Sequence, residues 1–314
     1  MSVVRTVRPI LSALGPRDDI EVLTLAPPLK GSLALWRQTA LVREASRSGA
    51  DVLHSFVSAF PLTSRIRTVQ TVHEVPWARG ARENAGPVHR TWAALGRRFA
   101  AATCTPSQGV ADDLEPHPRL HVVPWGVDPA FGPEQDAFDR ALRFGHPELP
   151  TRPFVLALGA TRPKKRLDRV CAGAERAGFA VVATGEVDAG TQALAERYSD
   201  LVLVGVIDAL VLPALVRASA CVAVLSESEG FALPVLEALR SRRAVVTPFG
   251  SVQSGTAGGV AFDAHPDDPD DVARAMTEAA DADDARRTAG REVAGKHTWW
   301  RTAEQLVEVW RSIA

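Results

Sequence analysis

Ala218-Ser219-Ala220-Cys221-Val222-Ala223-Val224-Leu225-Ser226-Glu227-Ser228-Glu229-Gly230-Phe231-Ala232-Leu233-Pro234-Val235-Leu236-Glu237-Ala238-Leu239 reads as a strand, a tight turn and a helix in direct succession. Residues 221–225 are apolar without alternation, which suits a strand of a parallel sheet covered on both faces. Glu229-Gly230-Phe231 supplies the turn. Pro234 fits the first turn of a helix, where its missing N–H costs nothing, and the residues after it continue as helix formers. Glu237 then sits one turn into a helix whose free N–H groups and positive dipole end face the crevice beyond the strand, with Glu229 in the turn before it.

Strand-like runs alternate with helical stretches along the rest of the chain. They fall at 20–26, 51–56, 66–73, 101–107 and 120–125, and again at 154–158, 179–184, 201–204, 221–225, 244–247 and 259–262. This alternation predicts an α/β protein with parallel sheets. A chain of 314 residues, 46% hydrophobic, is long enough for two cores. The polar, proline-bearing stretch 131–153 reads as the link between them. A ligand crevice is expected at the carboxyl ends of the strands, the general rule for open parallel sheets.

The net charge of −1 gives no global pull toward nucleic acid. Residues 1–130 hold 15 basic against 11 acidic side chains, and the remainder 21 against 26, so the first half is mildly basic. Cys104, Cys171 and Cys221 lack a C-x-x-C spacing and read as small buried hydrophobes in a reducing compartment. No run approaches 18 apolar residues, and the first residues do not form a secretory signal. A cytoplasmic location is expected, and a peripheral contact with the membrane is compatible with it. Residues 263–271 are acids and prolines whose spacing matches no calcium loop; they read as a solvated turn before a helix.

The spacing Glu229-x7-Glu237, with Gly-Phe-Ala-Leu-Pro between, closely resembles the E-x7-E signature of family-four retaining glycosyltransferases of the GT-B fold. Further segments resemble the same family in the same order: residues 153–167 with Arg162-Pro163-Lys164-Lys165, the strand and turn 201–207, the strand 66–74 ending in His73-Glu74, and the turn Pro124-Trp125-Gly126-Val127-Asp128. The resemblance implies two Rossmann-like domains facing across a cleft. The first spans 1–140 plus a last helix, 298–314, that crosses back onto it, and the second, which binds the nucleotide sugar, spans 150–297. On this reading Trp299, Trp300 and Trp310 of the tail are packing residues.

The resemblance also implies roles. Glu237 accepts the ribose hydroxyls of the nucleotide, since an ionised carboxylate is acceptor-only and suits a vicinal diol. Glu229 lies near the transferred sugar, and His73 approaches the same sugar. Lys165 contacts the donor diphosphate with Arg162 or Lys164, because Ala160 stands where many relatives carry arginine. Val206 meets the nucleobase through its backbone, and Phe231, Ala232 and Leu233 line the turn and helix start. His73, Glu229 and Lys165 are the expected catalytic residues.

Three departures accompany these matches. Residues 3–14 resemble the family's first helix already under way, so the opening strand and Gly-rich loop of the first domain are expected to be absent. Glu74 replaces the usual aspartate. Gln253 or Ser254 stands where relatives often carry a glutamate, with no effect derivable from sequence.

The expected activity is transfer of a glycosyl group, with retention, from a nucleotide-diphosphate sugar to the hydroxyl of a glycan, a lipid-linked molecule or a small molecule. The donor is a co-substrate, and no cofactor is expected. Nothing in the sequence requires a metal, as there is no D-x-D at a strand end and His73-Glu74 lacks the second histidine of H-E-x-x-H. Two alternatives stay open: a catalytically silent nucleotide-sugar-binding subunit, and a nucleotide-sugar epimerase of the same architecture. A dehydrogenase is disfavoured, because no G-x-G-x-x-G follows an early strand.

Overall fold

The computed structural model describes residues 4–15, 17–27, 30–80, 86–160 and 162–314. The chain divides into two compact units, one of residues 1–126 with 298–314 and one of residues 127–297.

Unit 1 runs α1 (Val4–Leu14), α2 (Leu33–Gln38), α3 (Ala40–Arg47), β1 (Val52–Ser55), β2 (Arg67–Thr71), α4 (Pro87–Phe99), β3 (Ala102–Thr105), α5 (Gln108–Asp113) and β4 (Leu120–Val122). Among the described residues its sheet has four parallel strands in the order β1-β2-β3-β4. No strand precedes β1 among the described residues, and α1 covers the stretch expected as a helix.

Unit 2 runs α6 (Ala137–Gly145), β5 (Phe154–Ala157), α7 (Leu167–Ala177), β6 (Ala180–Ala183), α8 (Ala189–Arg197), β7 (Leu201–Leu203), α9 (Leu212–Ala218), β8 (Cys221–Ala223), α10 (Leu233–Arg240), β9 (Val245–Pro248), α11 (Val252–Thr256), β10 (Phe262–Ala264), α12 (Pro269–Ala280) and α13 (Asp284–Gly295). Its parallel sheet has the order β10-β9-β8-β5-β6-β7. Every residue of β5, β6 and β8 is buried, as expected for strands with helices on both faces. One face packs on α7 and α12, whose Leu167, Val170, Cys171, Val272 and Met276 join the core. Gly173 permits that approach, since a Cβ there would lie 2.3 Å from Val272 Cγ1.

The last helix, α14 (Trp299–Ile313), belongs to unit 1. Its Ala303, Leu306, Val307 and Val309 pack with Ile10 and Leu14 of α1. Thr302 Oγ1 donates to the carbonyl of Pro124 at 2.7 Å. Trp310 is tied into the unit through its indole N–H, whereas Trp300 is 62% exposed and does not pack as expected.

Three stretches differ from their sequence reading. Residues 20–26 form no strand: Val22 and Leu23 stay exposed, and only Ile20 leans on the core. Residues 131–153 are not a bare link. Asp136 and Asp139 form a capping box that starts α6, and the buried Arg217 of α9 binds Asp139 with two nitrogens at 3.1 and 2.7 Å and Asp136 at 3.1 Å. This network fastens α6 to unit 2. The last strand also starts later than expected, at Phe262, because Gly258 and Gly259 take positive φ in the turn before it.

Gly126 has no room for a side chain, since a Cβ would fall 2.2 Å from the backbone nitrogen of Trp299. Gly126→Ala should therefore cost about 1–3 kcal/mol through forced backbone displacement. Gly145→Ala, which meets nothing within 4 Å, is the matched control. Thermal melting of the two variants checks this: a melting temperature for Gly126→Ala equal to that of Gly145→Ala would refute it.

Candidate functional site

The strand order of unit 2 builds a site before any side chain is considered. The chain starts at β5, steps to β6 and β7 on one side, then crosses back to lay β8, β9 and β10 on the other. The loops after β5 and β8 therefore leave adjacent strands in opposite directions, and such a switch point opens a crevice at the carboxyl ends.

The loop after β5 turns at Gly159, whose φ is +59°. Gly159 N–H donates to Thr184 Oγ1 at 3.0 Å and Ala160 N–H to the Thr184 carbonyl at 2.9 Å, so the end of β6 holds this loop. A single 3₁₀ turn, Pro163–Lys165, follows. Within it Lys164 is buried and Lys165 largely so, and Arg162 before it is half-buried. The loop after β8 carries Ser226 to Ala232 into α10. Glu227 N–H donates to the Lys164 carbonyl at 2.9 Å, which stitches the two loops together.

The stitch brings Lys165 Nζ to 2.5 Å from Glu229 Oε1, each side chain 13% exposed. Burial pushes the Glu229 carboxyl up, but the Lys165 ammonium, through charge and hydrogen bond, and the nearby charge of Lys164 outweigh it and hold the group below its ordinary range. Glu229 is thus a carboxylate at neutral pH. Ala232 enters α10 in the left-handed region, φ 58° and ψ 60°, a conformation that costs a non-glycine residue roughly 1–2 kcal/mol. Phe231 and Leu233 on either side are buried, and the Phe231 ring meets His297 edge-on at 5.5 Å. Glu237 is 3% exposed one turn into α10.

The structure thus brings Lys165 and Glu229 into contact and places Phe231, Ala232, Leu233 and Glu237 on the same strand-turn-helix. Val206 lies past the end of β7, two strands away from β5, and is 75% exposed after Gly205, whose φ is +68°. One contact was not readable from sequence. Gln253 of α11 is buried and donates its amide to the Ser226 carbonyl at 2.8 Å. The missing glutamate at this place was the only signal.

In unit 1, His73 follows the carboxyl end of β2. Its Nε2 lies 2.7 Å from the Phe56 carbonyl, which fixes the proton on Nε2 and leaves Nδ1 as an acceptor. Nδ1 is buried without a hydrogen-bond partner, beside the Trp125 ring at 5.1 Å. Burial lowers the imidazole pKa, against the Phe56 hydrogen bond, so the ring is neutral at pH 7. Next to it, His54 receives the Trp310 indole N–H on Nδ1 at 3.0 Å and lies 2.9 Å from Thr71 Oγ1 through Nε2. Its ring stacks on Phe56 at 4.1 Å. Burial, with His73 adding, lowers it to about 3.

Among the described residues no three or more His, Cys, Asp or Glu side chains are grouped to hold a metal ion, and no helix is long and apolar enough to cross a membrane. The residues 263–271 are used locally: Asp268 caps α12, and Asp271 accepts from His265 N–H at 2.8 Å.

His54 gives a signed pH dependence. Below pH 6.5 the unfolded chain protonates this ring, while the folded chain refuses the proton down to about 3. Stability should fall as pH falls through that window, by at most about 1.4 kcal/mol per pH unit from this group. Denaturant unfolding at pH 7, 5.5 and 4 should show a shallower loss for His54→Gln than for wild type, and parallel losses would contradict the assignment.

The model described as Glycosyltransferase Family 4 matches residues 10–131, the part of the chain that contains His73. No curated protein sequence matches the chain. Solved structures do. A sucrose-phosphate synthase from Thermosynechococcus elongatus superposes with a TM-score of 0.74 at 18% identity, covering 98% of this chain and 92% of that one. A glycosyltransferase from Rickettsia africae ESF-5 gives 0.72 at 11% identity, covering 93% and 84%. Anabaena Alr3699/HepE, in complex with UDP and glucose, gives 0.68 at 17% identity, covering 91% and 84%. With its two parallel sheets, the chain has the α/β architecture of the GT-B glycosyltransferase fold.

Proposed function

We propose that this protein is a retaining glycosyltransferase that moves a sugar from a nucleotide-diphosphate donor to an acceptor hydroxyl. The observation that carries the reading is the Lys165–Glu229 pair at the switch point, one turn of chain before the N-terminus of α10. The UDP and glucose bound by HepE support a nucleotide-sugar donor for a chain of this fold.

The chemistry follows from what each group offers. As the glycosidic bond breaks, negative charge grows on the leaving diphosphate. Lys165 and the positive dipole end of α10 stabilise that charge, helped by Arg162 or Lys164, in what we read as a metal-independent mechanism. Glu237 accepts the ribose hydroxyls. Glu229, ionised by its lysine, receives a hydroxyl of the transferred sugar. In unit 1, the neutral His73 offers Nδ1 to a hydroxyl donor. The leaving phosphate removes the acceptor proton, and no protein nucleophile is needed.

Thermal melting with UDP, GDP and ADP, each at about 100 times the dissociation constant expected of a donor nucleotide, tests the donor site. One nucleotide should add roughly 2.7 kcal/mol, a shift of a few degrees. Glu237→Ala, compared with its own unliganded melting temperature, should lose the shift. With the matching donor sugar, Lys165→Ala should slow turnover by about 10²-fold or more. Absence of a shift with all three nucleotides would overturn the reading, and binding without turnover would leave a sugar-nucleotide-binding subunit.

A further inference from the structure

Helix α11 grips the loop that carries Glu229 from both ends. Gln253 Nε2 donates to the Ser226 carbonyl at 2.8 Å, and Thr256 Oγ1 donates to the Phe231 carbonyl at 2.7 Å. The two side chains are three residues apart and so share one face of the helix. Both are buried, and the loop residues 227–230 hang between the two carbonyls they hold. A backbone tie, Glu227 N–H to the Lys164 carbonyl, holds the same loop from the other side.

The grip is anchored outside the loop. Ser254 Oγ donates to Asp263 Oδ2 at 2.7 Å, and Thr247 Oγ1 to Asp263 Oδ1 at 2.5 Å, so one carboxylate on β10 fixes α11 to the edge of the sheet. Ser251 Oγ caps the helix at Ser254 N–H, 3.1 Å away. The Thr256 bond also holds the peptide just before Ala232, the residue in the left-handed region, where a strained backbone persists only if its surroundings dictate it.

We propose that Gln253 and Thr256 are positioning residues, which set the loop 226–231 so that Glu229 meets Lys165 and the donor sugar. This rests on the reading of Glu229 and Glu237 as donor-site residues. Neither side chain touches the donor. Each acts through a backbone carbonyl, and a buried carbonyl that loses its donor is costly enough to rearrange the loop.

The test uses the full chain with Thr256→Val and Gln253→Met, which keep volume and remove the donor, and with Thr256→Ser, which keeps it. Hydrogen–deuterium exchange is followed in peptides spanning 226–232, together with calorimetric affinity for whichever of UDP, GDP and ADP binds wild type. Thr256→Val and Gln253→Met should exchange at least 10-fold faster in that loop, with β5 and β6 peptides unchanged, and should bind the nucleotide at least 10-fold more weakly. Thr256→Ser should stay within about 3-fold of wild type in both. Ser254→Ala, which loosens α11 from Asp263 without touching the loop, should give an intermediate result, and it carries the test if either of the first two variants fails to fold.

Wild-type exchange in the loop, or wild-type affinity at unchanged melting temperature, would overturn the proposal. If wild type binds none of the nucleotides, the donor-site reading fails separately, and exchange alone decides: a loop-confined increase that Thr256→Ser does not show supports the positioning role, and its absence refutes it.

Discussion

The ion pair between Lys165 and Glu229 closes the one place in unit 2 where the sheet cannot close itself. Adjacent parallel strands whose connections run to opposite faces leave their carboxyl ends uncovered, and here those strands are β5 and β8. The pair is poorly suited to stability alone. Taking both charges to 13% exposure costs desolvation that their attraction repays only with good geometry, and apolar residues of the same size fill such space as well. A few residues on, Ala232 adds backbone strain. Two local costs at the end of fully buried strands mark a spot where the fold gives up stability for a charged, shaped surface.

What surrounds that spot removes freedom from it. Glu227 N–H is tied to Lys164, the Ser226 and Phe231 carbonyls are tied to α11, and Gly159 and Ala160 are tied to Thr184. Apart from the Gln253 amide, which burial already fixes, these are hydrogen bonds from backbone or short side chains, with few rotamers to lose. A charged group held by such contacts is already oriented when a ligand arrives, so binding energy is not spent on ordering it.

The central strands of unit 2, β5, β6 and β8, were legible because they are buried on both faces and read as unbroken apolar runs. The turn from Glu229 to Glu237 was legible because strand, turn and helix are contiguous and each obeys local rules. Elements that depend on distant partners were not. Residues 20–26 carry a β-like pattern, but among the described residues no strand pairs with them, and exposed Val22 and Leu23 show that pattern without partner does not make a strand. The start of α6 looks like a polar link until Arg217, some 80 positions later, supplies the buried countercharge for Asp136 and Asp139. Gln253 was visible only as a departure, since the carbonyl it serves lies 27 residues upstream. Trp300 shows the converse error, because helical spacing says which residues share a face but not how much of that face is covered.

The two units hold different kinds of polar chemistry, and the difference is physical rather than incidental. In unit 2 the Glu229 carboxylate is ionised, and Lys165 compensates its charge. In unit 1 the half-buried histidines are neutral, with their protons assigned by fixed partners: the Phe56 carbonyl for His73, and Trp310 for His54. Burial lowers the pKa of both rings and keeps them neutral. A leaving diphosphate gains charge during reaction and calls for fixed cations and N–H groups. A sugar hydroxyl changes little in charge, so a neutral acceptor such as His73 Nδ1 can also meet it, without a large desolvation cost. The division of labour that the proposed reaction needs is therefore one that each unit supports through its own core, before any ligand is considered.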